Sequence, residues 1–242
     1  MIKINKITQD ELNTISQIER DCKKLHIFTP PKVTLTLGVF NKTGEQVIEQ
    51  TQLSKTWNRN AYNYLCGHLM GINMNCAGTT FGAGLMPLKS YAGTTRQGNF
   101  HSRIAYGNQD GALATTASVT YMGIVVGTGT AAESFEGYVL TTPITHGTSA
   151  GTLKHVAQTA ATVAYVSATK TFTATHRRSF DDDGGGDITV NEVAWYLRLN
   201  YDGSGNSVDY FMVSRDLLAA PVAVANTQRL TVDYTFSITF PA

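Results

Sequence analysis

The hydrophobic pattern of this chain changes period twice. Over residues 8–26, Leu12, Ile15, Ile18, Cys22 and Leu25 recur at helical spacing on one face, and Thr8 with Glu11 forms a capping-box pair before the first turn. Pro30-Pro31 stops that segment. From Lys32 the period becomes two. Val33, Leu35, Leu37 and Val39 alternate with Thr34, Thr36 and Gly38, which predicts a half-buried strand, and Asn41-Lys42-Thr43-Gly44 predicts the turn into a returning strand over Glu45–Gln52. Helical spacing returns over Trp57–Ile72, where Ala61, Tyr62, Leu65 and Leu69 share a side and Gly67 and Gly71 weaken the helix.

Residues 76–118 show neither period. They are rich in Gly, Thr, Ser and Asn, yet carry Phe81, Leu85, Met86, Tyr91, Phe100 and Tyr106. That mixture is too apolar for a flexible linker and predicts an extended arm laid on a partner. Beyond Val119 the pattern is strands between turns, predicted near 119–126, 136–141, 161–166, 170–179, 188–200, 207–214 and 228–240. The last is the clearest, with Leu230, Val232, Tyr234, Phe236, Ile238 and Phe240 alternating with polar residues. The expectation is a mainly β chain, an antiparallel β-sandwich or jelly-roll-like domain over 119–242. Residues 1–118 precede it as helix, β-hairpin, short helix and Gly/Thr-rich arm.

Composition narrows the function classes. Of 242 residues only 15% are charged, and the formal net charge is +1. Polarity is carried by Thr, Ser, Asn, Gln and glycine, which suits neutral surfaces covered by neighbours. No basic stripe is present, so nucleic acid is not an expected partner. No apolar run approaches a membrane span or a signal peptide, and the expected place of synthesis is a cytoplasm. The cysteines, Cys22, Cys66 and Cys76, lack metal-ligand spacing and are expected as free thiols.

Two stretches carry candidate chemistry. Residues 181–192 (Asp-Asp-Asp-Gly-Gly-Gly-Asp-Ile-Thr-Val-Asn-Glu) partly fit a twelve-residue calcium loop. Asp181, Asp183, Asp187 and Glu192 are the candidate calcium ligands, with Gly186 at the turn position. Position five is Gly185, and the flanks are strand-like where helices are required, so the alternative is a turn between strands with solvated aspartates. Gly127-Thr128-Gly129-Thr130-Ala131-Ala132 fits the loose dinucleotide pattern, but no amphipathic helix follows and no acid stands about twenty residues on. The six histidines form no ligand pair, and no nucleophile elbow is present. No catalytic constellation is found, and no cofactor is expected apart from that calcium.

Three stretches resemble structural proteins of tailed bacteriophages. They are Gly127-Thr128-Gly129-Thr130 through Tyr138-Val139-Leu140 to Pro143-Ile144, then Ile188-Thr189-Val190-Asn191-Glu192-Val193-Ala194-Trp195-Tyr196, then Ser214-Arg215-Asp216-Leu217-Leu218 through Pro221-Val222 to the terminal strand. Lys55-Thr56-Trp57-Asn58-Arg59-Asn60-Ala61-Tyr62-Asn63 is a weaker echo. Ala194 stands where that pattern has Gly, and the turn before Ile188 is longer. The resemblance implies a virion protein of tail, collar, fibre-anchoring or capsid-accessory type. Its implied partners are copies of itself and other virion proteins, and no enzymatic activity is implied. A receptor- or carbohydrate-binding module on the particle, reaching a host-surface glycan through Trp195, Tyr196 and Tyr201, is the alternative.

Overall fold

The computed structural model describes residues 1–25, 27, 29–69, 87–96, 117–200 and 208–240. It is mainly β, and two stacked sheets enclose the core. The larger sheet has the order β1-β3-β2-β12-β9-β7, with β8 also paired to β9. These strands are β1 (Ile2–Asn5), β2 (Lys32–Phe40), β3 (Gln46–Leu53), β7 (Lys154–His155), β8 (Thr162–Val166), β9 (Thr171–Asp181) and β12 (Arg229–Thr239). The smaller sheet has β10 (Ile188–Asn200) between β11 (Val208–Val224) and β6 (Gly123–Gly127). The expected sandwich is therefore present.

The period-two stretches supply its facing surfaces. Leu35, Leu37 and Val39 on β2 and Leu230, Val232 and Tyr234 on β12 are wholly buried against Ile124, Val126, Val190, Val193 and Val224 of the other sheet. Each such side chain contributes about 1.5–3 kcal/mol relative to exposure. The clear alternation of β12 suits its central place, antiparallel to β2 on one side and β9 on the other.

The proposed division at residue 118 does not hold, because β2 and β3 lie in the same sheet as β9 and β12. Residues before and after 118 share one core. Nor do residues 136–141 form a strand. Their backbone is bonded by turns and side chains, Gly137 N–H to the Ser134 carbonyl and Leu140 N–H to the Tyr196 hydroxyl, so no ladder is needed.

The helices are α1 (Gln9–Leu25) and α2 (Arg59–Leu69). The Thr8–Glu11 box forms as expected: Glu11 N–H donates to Thr8 Oγ1 and Thr8 N–H to Glu11 Oε2. Of the α1 stripe, Cys22 is buried, Leu12 and Ile15 are half-buried, and Ile18 and Leu25 are exposed. Within the expected arm, β4 (Leu88–Lys89) and β5 (Thr95–Arg96) make a hairpin packed on its own subunit. Leu88 is buried with Phe211 and Leu199, and Tyr91 N–H bonds the Tyr210 carbonyl. Residues 76–86 and 97–116 of that arm lie outside the described residues. Cys22 and Cys66 are free thiols, and Cys76 lies outside the described residues. No helix among the described residues is long and apolar enough to cross a membrane.

Adjacent arginines on β9 face opposite ways. Arg177 points outward and forms a two-pronged pair with Asp233. Arg178 points inward and is 1% exposed, and among the described residues it forms no salt bridge. Its five N–H groups are used instead on the carbonyls of Ala117, Val119, Met122, Ile124 and Val156, at 2.7–3.2 Å. Burial lowers its pKa to about 10, so it remains charged at neutral pH. This side chain pins residues 117–124 against β9. Arg178→Met would strand those carbonyls and is expected to cost about 4 kcal/mol or more, against about 1 kcal/mol or less for Arg177→Met, read from urea midpoints at pH 7.

Candidate functional site

Several polar side chains are buried and hydrogen-bonded around the smaller sheet. Glu192 lies on the outer face of β10, under the segment 128–142, and is wholly buried. Its Oε2 accepts from Arg215 Nε at 2.6 Å, and its Oε1 accepts from the N–H groups of Gly129 at 3.2 Å and Thr142 at 3.0 Å. Arg215 passes two further bonds to the carbonyls of Ala131 and Ala132. Asn191 Nδ2 donates to the Thr128 carbonyl. The 127–133 turn is therefore held from below by a buried ion pair.

This explains the glycines. A Cβ on Gly127 or Gly129 would meet Glu192 Oε1 at 2.5 Å, and on Gly127 also the Thr142 carbonyl at 2.7 Å. Both positions need glycine because the carboxylate approaches the backbone there. The apparent dinucleotide loop wraps an internal carboxylate in place of a pyrophosphate.

The neighbouring Asp216 belongs to a second knot. Arg215 and Asp216 are successive residues of β11, not of a turn, and they serve opposite faces of the sheet. Asp216 accepts from Ser54 Oγ at 2.7 Å, Lys55 N–H at 3.0 Å and the Tyr234 hydroxyl at 2.9 Å. Desolvation raises its pKa to about 6 against the pull of those donors. A third knot uses amides. Asn58 Nδ2 donates to the carbonyls of Gly137 and Met212, and Asn60 Nδ2 to those of Lys89 and Met212. Gln52 bonds the backbone of Leu217 and Ala219 in both directions, and Gln50 donates to the Ala220 carbonyl. These groups fasten the edge of β11 to β3 and to the start of α2.

The four candidate calcium ligands do not converge. Asp181 forms a two-pronged pair with Arg229, at 2.6 and 3.1 Å. Asp183 lies 3.5 Å from Lys154 Nζ, and Asp187 accepts from Asn226 N–H at 3.2 Å. Glu192 is the partner of Arg215. No group of three His, Cys, Asp or Glu side chains close enough to hold a metal occurs among the described residues. The calcium reading is replaced by a structural one, since each carboxylate already has a protein donor. The 182–187 loop joins β9 of one sheet to β10 of the other, and beside it the 225–228 corner joins β11 to β12. Asp182 N–H bonds the Gln228 carbonyl, and Thr227 N–H bonds the Asp182 carbonyl. Gly185 has φ +79°, and a Cβ on Gly184 would meet the Ser149 carbonyl at 2.3 Å. The loop is a corner of the sandwich.

Trp195 and Tyr196 lie on opposite faces of β10. Trp195 packs among Trp57, His176, Tyr234 and Phe236, while Tyr196 is buried under Leu140. Tyr201 lies outside the described residues. Tyr196 is buried, and Trp195 is half-buried with four rings around it. Comparison with protein-family models, with curated proteins and with solved structures returned no match.

Glu192→Gln removes the charge that Arg215 faces inside the protein and is expected to cost about 3–5 kcal/mol. Glu192→Gln with Arg215→Met is expected to cost clearly less than the two single changes added together, in urea unfolding at pH 7. Additive losses would mean that the two side chains do not act as a pair.

A second expectation concerns pH. Asp216 keeps its proton to about pH 6 when folded but only to its ordinary 3.8 when unfolded. Its contribution is therefore full below 3.8 and lost as pH rises through 6. His155, buried beside Phe180 and His146, behaves oppositely: burial and then the Arg178 charge lower its pKa from 6.5 to about 4. Its contribution is full above 6.5 and lost as pH falls toward 4. The two slopes oppose each other between pH 4 and 6. Asp216→Asn is expected to steepen the acid loss of stability over that range, and His155→Phe to flatten or reverse it. Urea midpoints at pH 4, 5, 6 and 7 that ran parallel to the wild type would contradict both assignments.

Proposed function

We propose that this chain is a non-enzymatic structural component of a bacteriophage particle, acting through contacts with copies of itself and with other virion proteins. One observation carries the reading. The stretches that resemble phage structural proteins are the ones whose side chains interlock. The Gly127–Thr130 turn is held by Glu192 of the second stretch and Arg215 of the third. Asp216 of the third is held by Lys55 of the weaker echo, and Asn58 and Asn60 of that echo reach β11. The resemblance thus falls on residues that determine a fold, which is where likeness between structural proteins is expected to persist, whereas likeness between enzymes concentrates on reacting groups.

The surface fits the same role. Ile18 and Leu25 of α1 and Val163, Tyr165 and Val166 of β8 are exposed large apolar side chains, suited to burial by neighbours in an assembly. The clustered polar groups described above are bonded to one another inside the protein, where they serve the fold.

The test is composition of the particle. Phage particles purified from lysates of cells carrying the coding sequence are expected to contain the intact chain, by peptide mass spectrometry, in a constant ratio to the major capsid protein across density-gradient fractions. A chain recovered only in the particle-free fractions would contradict the proposal.

A further inference from the structure

Exposed strand edges invite pairing with other chains, and this fold covers nearly all of its own. The outer edge of β11 is capped by Trp57 opposite Ser214, Asn58 N–H on the Val213 carbonyl and Tyr91 N–H on the Tyr210 carbonyl. The outer edge of β6 is capped by Pro143 opposite Gly127, Ile144 N–H on the Val126 carbonyl and Gln158 Oε1 on Ile124 N–H. At the far edge of the larger sheet, β1 carries Lys3, 3.5 Å from Glu49, and a charge there opposes edge pairing.

The β8 strand has none of these defences. Among the described residues it pairs with β9 alone, every residue from Thr162 to Val166 is exposed, and residues 156–169 contain no charged side chain and no proline. No other hydrogen bond is made by Thr162–Val166 among the described residues. Register shows what its faces carry. Val163 is opposite Ala174, which is opposite Phe236, and Tyr165 is opposite Phe172, which is opposite Ile238. Phe236 and Tyr234 belong to the core-facing side of β12, so the core face of the larger sheet runs on through β9 to β8 as an apolar strip. Its far end is uncovered: Val163 is 58% and Tyr165 57% exposed. On the opposite face β9 and β12 carry hydroxyl side chains, with Thr171 bonded to Thr239 and Thr175 to Thr235, and β8 places Thr162, Ala164 and Val166 there.

We propose that β8 is a homotypic interface, at which a second copy of this chain adds its own β8 antiparallel across a two-fold axis through Ala164. The occupant follows from self-complementarity. That pairing sets Val163 against Tyr165 of the other copy and Thr162 against its Val166, joining the two apolar strips on one face. It brings no like charges together, since neither copy has a charge in the segment. The proposal deepens the assembly reading above by naming one surface through which copies meet.

The test is the native mass of the purified full-length chain over a hundredfold concentration range, for wild type, Ala164→Lys and Ala164→Cys. Ala164 is exposed and makes no side-chain hydrogen bond, so all three are expected to fold and to melt alike at dilutions where each is monomeric. The expected result is reversible self-association, weakened at least tenfold by Ala164→Lys, where two ammonium groups would face each other. Ala164→Cys is expected to give a covalent dimer on mild oxidation, under conditions that leave the wild type unlinked. Should Ala164→Lys fail to fold, the Ala164→Cys cross-link still decides. Self-association untouched by Ala164→Lys, with no cross-link through Ala164→Cys, would overturn the β8 interface while leaving assembly through another surface in place. A wild-type monomer throughout would also overturn it, and particle composition would then judge the assembly reading separately.

Discussion

The buried pair of Glu192 and Arg215 is the constraint around which the outer layer is arranged. A carboxylate and a guanidinium removed from water are costly unless most of their hydrogen-bonding capacity is used. Here it is used on the backbone. Glu192 takes the amides of Gly129 and Thr142, and Arg215 takes the carbonyls of Ala131 and Ala132. A segment without regular secondary structure thereby obtains partners that a ladder would otherwise supply. The demand for glycine at 127 and 129, the path of residues 128–142 and the cover over Tyr196 and Met212 all follow from where that carboxylate sits.

The same solution recurs through the molecule. Arg178 satisfies four carbonyls of residues 117–124 and that of Val156, Asp216 gathers a hydroxyl, an amide and a phenol at the β3–β11 seam, and Asn58 and Asn60 close the junction with α2. Apolar burial drives the two sheets together without choosing among ways of laying irregular segments over them. Directional groups in a low-dielectric interior make that choice, because each misplaced segment leaves one of them unbonded. Among the described residues Arg178, Asp182, Glu192, Asp209, Arg215 and Asp216 are the buried charged side chains, and those bonded to irregular segments serve internal order.

How much of this was legible from the sequence depended on the kind of signal. Period-two alternation located β2 and β12, and the Thr8–Glu11 box located the start of α1, because both are local. The candidate site was less legible. Asp181, Asp183 and Glu192 matched a calcium template by spacing, but spacing does not reveal which acids find cations across the fold, as Asp181 does in Arg229 and Glu192 in Arg215. Parity on β9 could have identified Arg178 as inward, since it keeps step with Phe180 and Ala174, whereas Arg177 keeps step with Ser179 and Thr175. Residues 136–141 mimicked a strand because Tyr138-Val139-Leu140 is apolar. Only Leu140 is buried, and the hydroxyl that bonds its amide lies fifty-six residues away. The division at 118 failed for a similar reason: β2 and β12 pair across most of the chain's length, and nothing local announces that register.

The central claim is that Glu192, with Arg215 behind it, holds the 128–142 segment as part of the folded core. Amide hydrogen exchange of the native protein tests it residue by residue. The N–H groups of Gly129 and Thr142 are expected to exchange only through opening as rare as that of the β10 and β12 ladders. Exchange at the rate of an open loop at both amides, with β10 and β12 still protected, would contradict it.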